Sequence, residues 1–140
     1  MDVPRQSSRR WLALIVVAHL AISLVHGDIH RRAHVPLAPA ATLFVFIVIL
    51  AGPVVGLAVT RVRPRAGYWL IAVTLAGAFV FGVIAHFLVP GADHVSHVNR
   101  GSRLWFAITA ILLAVTEAIG TAVAVFVAKR PLRRHITNNA

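Results

Sequence analysis

The sequence predicts an all-α fold, an integral membrane four-helix bundle that forms a single domain. Of its 140 residues 59% are hydrophobic and only 13% are charged, whereas soluble domains carry about 25% charged residues. The apolar residues form four blocks near the length of a membrane span, about 20 residues, and show no short-period alternation. Because helices satisfy their own backbone in lipid, we expect transmembrane helices at approximately residues 11–30, 40–60, 67–89 and 104–127.

Proline and glycine mark the boundaries and the interior of the first two blocks. Block one follows Arg10, and its helix should end near His34 because Pro36 disfavours helix in the residue before it. Block two opens with Pro39, which suits the first turn of a helix. It carries Gly52-Pro53 in its interior, and this pair predicts a kink.

The last two blocks have equally clear ends. A short basic turn precedes Gly67, where block three begins, and Pro90-Gly91 stops it. Block four starts beside Trp105, a residue typical of the membrane interface. It ends where a basic, polar tail begins at Lys129.

The net charge of +10 is arranged for a membrane rather than for nucleic acid, because the basic residues flank the apolar blocks. Ten Lys and Arg residues lie before block one, between blocks two and three, and after block four, against four in the other two loops. The positive-inside rule then predicts that both termini are cytoplasmic and that the protein lies in the inner (plasma) membrane. Nucleic acid is not an expected partner.

Two other sequence features narrow the possibilities. The absence of cysteine excludes disulfides, thiolate metal sites and a cysteine nucleophile. The segment Ser8-Arg9-Arg10-Trp11-Leu12 resembles a twin-arginine export signal. However, Val25-His26-Gly27 provides no ordinary small-x-small cleavage site, so we expect this segment to remain as the first helix.

Histidines make the most informative pattern in the first block. The spacings of seven, four and four residues from His19 through His26 and His30 to His34 place all four on one helical stripe. Two histidines at i and i+4 present adjacent imidazoles, an arrangement that can bind zinc, copper or iron. The alternative is that the later members of the stripe are simply solvated.

The third block and the loop after it contain further candidate ligands. At about 1.5 Å per residue, His26 and His30 lie about 24 and 30 Å beyond Arg10, and His86 lies about 28 Å beyond Gly67. We therefore expect these three side chains to meet, with a loop histidine as a further ligand and a nearby carboxylate orienting an imidazole. The candidate metal ligands are His26, His30, His86, His94 and His97, and the candidate orienting carboxylate is Asp93.

Glu117 is the other informative residue, because an ionisable group in mid-membrane is costly and commonly functional. It lies about 18 Å from Lys129, and His19 lies about 13.5 Å from Arg10, so the two can form a buried polar pair. This pair either holds two helices together or acts as a proton relay or substrate-binding dyad. Its depth predicts a site separate from the histidine cluster.

The two histidine-rich stretches, residues 19–37 and 86–94, carry a resemblance. With them, the chain resembles small His-rich four-helix bacterial integral membrane proteins over most of its length. The resemblance implies the topology and the grouping of these histidines, but it implies no reaction.

Three function classes remain open. The leading hypothesis is a membrane protein that binds or handles a transition metal (Cu, Zn or Fe) at an outward-facing histidine cluster. A single b-type haem held by His26 and His86 is the second, and a non-metal accessory or structural subunit, alone or as a homo-oligomer, is the third. No catalytic residue is predicted, because the sequence carries no nucleophile motif or dinucleotide fingerprint.

Overall fold

The four predicted helices are present in the computed structural model, which describes residues 3–130, with side chains from residue 7 onward. All regular elements in that range are helical: α1 Val3–Ala33, α2 Pro39–Val59, α3 Pro64–Leu88 and α4 Arg100–Lys129. The candidate spans within them have 27, 21, 25 and 30 residues, each with an apolar window of 18 residues, and are long enough for a hydrocarbon core of about 30 Å. The all-α, four-helix prediction is confirmed. Residues 131–140, which include His135 and most of the basic tail, lie outside the described residues.

The ends of the helices lie within four residues of the predicted spans, except that α1 begins at Val3, eight residues early. Capping contacts account for two of these ends, the end of α1 and the start of α4. Helix α1 continues to Ala33 and is closed by His34, whose φ of 55° is left-handed. Two closing hydrogen bonds, Val35 N–H to His30 O at 3.1 Å and His34 N–H to Arg31 O at 3.3 Å, form a Schellman motif. Thus His34 ends the helix.

Helix α4 begins four residues before the predicted span. The Asn99 side chain accepts a hydrogen bond from Ser102 N–H at 3.0 Å, as an N-cap does. The same side chain donates through Nδ2 to Ala33 O at 3.3 Å. The start of α4 is thereby attached to the end of α1.

The helices pack in the order α1, α4, α3, α2. Helix α4 contacts both α1 and α3, and α3 contacts α2, whereas α1 and α2 touch only lightly. Glycine makes the α2–α3 contact close: a Cβ at Gly67 would lie 2.5 Å from the backbone nitrogen of Thr60. Both members of the Gly52-x-x-x-Gly56 pair are buried against α3, at Thr74 and Ile71.

Two helices contain a π-helical stretch. In α2 it covers Val45–Ala51 and ends directly before Gly52-Pro53. In α3 it covers Ile84–Leu88 and carries His86. Wider turns of this type often occur at functional sites because they change where side chains and carbonyls point.

The buried core has two apolar parts with a polar layer between them. The larger part lies between the first half of α1, the first half of α3 and the end of α4; it is centred on Leu12, Ile71 and Leu75, each 0% exposed. The smaller part contains Ala33, Val98 and Phe106. The outer surface is strongly apolar, as a lipid-facing surface is, with exposed side chains that include Trp11, Leu24, Phe46, Trp105 and Phe126.

Candidate metal site

Three histidines meet where α1 and α3 end and α4 begins. His26 and His30 come from consecutive turns of α1, and His86 comes from the π-helical end of α3. They are 7%, 8% and 7% exposed. One ring nitrogen from each lies within 4.8 Å of the other two, so the group can hold a metal ion. We call these three residues the histidine triad.

Hydrogen bonds determine which nitrogen of His86 is free. Its Nδ1–H donates to the carbonyl oxygen of Asp93 at 3.0 Å, because a carbonyl can only accept. The lone pair of the neutral ring is then on Nε2. A hydrogen bond of this kind orients a metal-binding imidazole, and the wide turn of Ile84–Leu88 helps bring the ring to the loop.

His26 is oriented by a different partner but with the same outcome. Its Nδ1 lies 2.7 Å from Thr109 Oγ1, and the Thr109 hydroxyl donates to the Trp105 carbonyl at 2.8 Å in the usual back-bond of a helical threonine. With its hydrogen in that back-bond, the threonine oxygen accepts from His26 Nδ1–H. Nε2 of His26 again carries the lone pair.

The two free nitrogens face one another. His26 Nε2 and His86 Nε2 are 3.3 Å apart, and with both Nδ1 atoms protonated neither has a hydrogen to donate. Two ligands of one tetrahedral zinc, each about 2.0–2.1 Å from the ion, lie about 3.3–3.4 Å apart. Their spacing is thus that of two ligands of a single metal ion.

His30 completes the group less tightly. Its Nδ1 is buried and has no hydrogen-bond partner among the described residues. Its ring is 4.8 Å from the ring of His26 and 5.8 Å from that of His86, measured between centroids. To join the other two as a tetrahedral ligand, the free ring nitrogen has to move by up to about 1.5 Å.

Phe106 forms one wall of the triad. It is 0% exposed, and its ring centroid lies 4.8 Å from those of His26 and His30 and 5.2 Å from that of His86. This apolar wall keeps water from one side of the imidazoles. Electrostatic interactions inside such a site are stronger than in water.

The two loop histidines lie elsewhere. His94 and His97 pack on one another with ring centroids 5.6 Å apart, and neither belongs to the group within 4.8 Å. His94 Nδ1 contacts Ser96 Oγ of the same loop and His94 Nε2 contacts Phe87 O at the end of α3, while His97 Nδ1–H donates to Gly91 O at 2.7 Å. The tight turns of this loop hold the rings away from the position of a fourth ligand that the sequence suggested.

Asp93 reaches the triad mainly through its main chain. The carbonyl rather than the carboxylate binds His86 Nδ1–H. The carboxylate interacts electrostatically with His30 and His86, while its Oδ1 is buried without a hydrogen-bond partner in the described range. The sequence pointed to the residue but not to the atom.

The buried pair also meets. His19 Nδ1 lies 3.6 Å from Glu117 Oε1, and the two residues are 0% and 3% exposed. A cavity of about 130 Å³ joins this level to the triad, with Glu117 and Ser23 in its wall together with all three triad histidines. The remaining wall consists largely of small and apolar side chains such as Ala78 and Ala114.

Sequence reasoning missed the residues that orient the site, above all Thr109 and Phe106. Neither has a distinctive spacing, because both act by tertiary contact. The sequence did contain a signal for the partner of His19. Pro53 has no N–H to donate to the carbonyl four residues earlier, and that carbonyl, on Ile49, accepts from His19 Nε2–H at 3.0 Å.

Comparison with protein-family models, curated proteins and solved structures finds no match to this chain.

Proposed function

We propose that this chain is a multi-pass protein of a bacterial inner membrane that binds a transition-metal ion, Cu, Zn or Fe, at His26, His30 and His86. The observation that carries the proposal is the 3.3 Å separation of two Nε2 atoms that both present lone pairs. Two lone pairs facing each other in a buried site repel unless a cation lies between them. Imidazole nitrogen suits copper, zinc and iron.

A metal accounts for the arrangement better than a proton does. A shared proton would satisfy His26 and His86 but would leave His30 Nδ1 buried without a partner, at a cost of about 1–3 kcal/mol. A metal ion uses all three imidazoles and leaves an open position, as metal sites with three protein ligands commonly do. That position is available to water or to another ligand.

The haem alternative is less well supported. Two histidines that ligate one haem iron lie on opposite faces of the macrocycle with nitrogens about 4 Å apart, and here they are 3.3 Å apart with Phe106 packed on both rings. The adjoining cavity of about 130 Å³ is well below the roughly 300–1,000 Å³ of cofactor pockets. The geometry favours an ion.

The bilayer is the main partner in this proposal. The apolar exterior supports insertion, and the distribution of Lys and Arg supports cytoplasmic termini, with the triad near the outer face. Reporter fusions after Arg63 and after Ala92 test the orientation, and we expect cytoplasmic and exterior readings respectively. The reverse result would place the triad on the cytoplasmic side. A homo-oligomer or a membrane partner subunit is compatible with this arrangement, and nucleic acid is not expected to bind.

The proposal is tested by metal stoichiometry. Protein purified in detergent and stripped of metal is dialysed against Zn²⁺ and, separately, Cu²⁺, and the bound metal is measured by elemental analysis. We expect one tightly bound ion per chain, lost in His26→Ala and kept in the matched control His97→Ala. Equal binding by His26→Ala and wild type, or no tight binding by folded wild type, would contradict a metal site and favour the accessory-subunit alternative.

A further inference from the structure

In the buried pair of His19 and Glu117, as in the triad, a ring nitrogen with a lone pair faces another electron-pair donor. His19 Nε2–H donates to Ile49 O at 3.0 Å, and a carbonyl can only accept. Pro53, which has no N–H, leaves that carbonyl without its ordinary helical donor. The lone pair of His19 is therefore on Nδ1, the atom that faces Glu117.

The contact between the two side chains is not a hydrogen bond. Their nearest atoms, His19 Nδ1 and Glu117 Oε1, are 3.6 Å apart, a separation beyond hydrogen-bond range. Nδ1 accordingly has no hydrogen-bond partner among the described residues. Two electron-pair donors at this separation are close to the roughly 3.3–3.4 Å expected for two ligands of one small cation.

Ser23 is a third candidate donor, on the same face of α1 as His19. It lies one helical turn beyond His19 on α1, at the i, i+4 spacing that places side chains together. Its Oγ is buried without a hydrogen-bond partner in the described range, and the residue lines the same cavity as Glu117. Three of the five buried polar atoms without a partner in that range, on His19, Ser23 and His30, belong to this one face of α1.

From this geometry we infer that His19, Ser23 and Glu117 form a second cation position, deeper in the bundle than the triad. We call it the inner position. The ion that it binds is a divalent transition-metal cation, because one imidazole nitrogen, one hydroxyl and one carboxylate make a mixed N/O set of ligands. A carboxylate in mid-span is otherwise costly, and a dication there compensates its charge.

The cavity connects the two positions. Its volume of about 130 Å³ is well above the roughly 10–15 Å³ that a single water needs, and its wall contains ligands of both. A cation released by the triad can therefore reach Glu117 without crossing packed apolar side chains. Resting on the proposed metal site, this inference makes the bound ion a cargo that passes between two positions.

The test is a count of bound Zn²⁺ in the wild type and three variants of the full chain, each in lipid nanodiscs. Wild type should bind two ions, one at least tenfold more weakly than the other. Glu117→Gln, nearly the same in shape, should lose only the weaker ion, and His26→Ala should lose the tighter one. The control Thr116→Val removes a hydroxyl that bonds only to its own helix, at Leu112 O, and should bind two.

The outcomes separate the two claims. If Glu117→Gln binds as many ions as wild type, the inner position is wrong and the pair only joins helices, whereas the triad stands or falls with His26→Ala. If Glu117→Gln does not fold, Ser23→Ala decides: at least a tenfold loss in affinity for the weaker ion supports the inner position, and unchanged binding overturns it.

Discussion

The two ends of this bundle differ in how closely their helices pack and in the buried polar atoms that they contain. Around Leu12, Ile71 and Leu75, glycines allow the helices to approach closely and no exposed fraction remains on those side chains. Around the triad, the helices leave a cavity, and His30 Nδ1 and Asp93 Oδ1 are buried without a hydrogen-bond partner in the part of the chain that the structure describes. Close packing stabilises the first region. In the second region buried polar groups lower the stability, which is typical of functional sites.

The largest effect is expected from removing a triad imidazole. His86→Ala deletes one of the two facing Nε2 atoms, so the affinity for Zn²⁺ at the tight site should fall at least 100-fold. His94→Ala, a histidine held in the loop by its own hydrogen bonds, should change affinity less than threefold. Isothermal titration of both purified variants compares them, and equal losses would show that the triad has no special role.

Acidification should have the next largest effect, and it should act on metal binding rather than on the apolar packing around Leu12, Ile71 and Leu75. An imidazole must be neutral to bind a metal, so each histidine that becomes protonated as the pH falls competes with the ion. Affinity should therefore decrease on lowering the pH by about tenfold per pH unit for each competing proton. Zn²⁺ affinity measured across a pH series gives this slope; affinity that rises as the pH falls would argue against imidazole ligands.

A smaller loss is expected when an orienting residue is changed. Thr109→Val keeps the size of the side chain but removes the oxygen that accepts from His26 Nδ1–H. Loss of such a partner typically costs about 10–100-fold in metal affinity, and that range is expected here. Thr116→Val on the same helix is the control. A full-affinity Thr109→Val would mean that packing against Phe106 alone orients His26.

The smallest effects are expected when glycine is replaced by alanine at two positions of α3, one at each end of the bundle. Gly67→Ala places a Cβ 2.5 Å from the Thr60 nitrogen, an overpacking expected to cost about 1–3 kcal/mol. Gly82→Ala, in the cavity wall, has its nearest contact at 3.9 Å, with His86 Cδ2, and should stabilise by about 0.5–1 kcal/mol. Thermal unfolding of both in the same detergent checks the opposite signs, and the same sign in both would remove the contrast.

Much of the fold follows from the sequence because lipid leaves few choices. Once four apolar blocks are present, helices are required, and prolines and glycines place the ends to within a few residues. The meeting of His26, His30 and His86 followed from depth along each helix. What could not be predicted depends on tertiary contacts: the Thr109 oxygen behind His26, the Asp93 carbonyl in place of its carboxylate, and the turns that keep His94 and His97 apart from the triad.

The central claim is that three imidazoles bind one metal ion at the end of the bundle. X-ray absorption at the zinc edge, on full-length protein loaded with one equivalent of Zn²⁺, tests it most directly. We expect the spectrum to show three nitrogen ligands at about 2.0–2.1 Å with the outer-shell scattering of imidazole rings, plus one further light atom. A spectrum of oxygen ligands without imidazole scattering would contradict it.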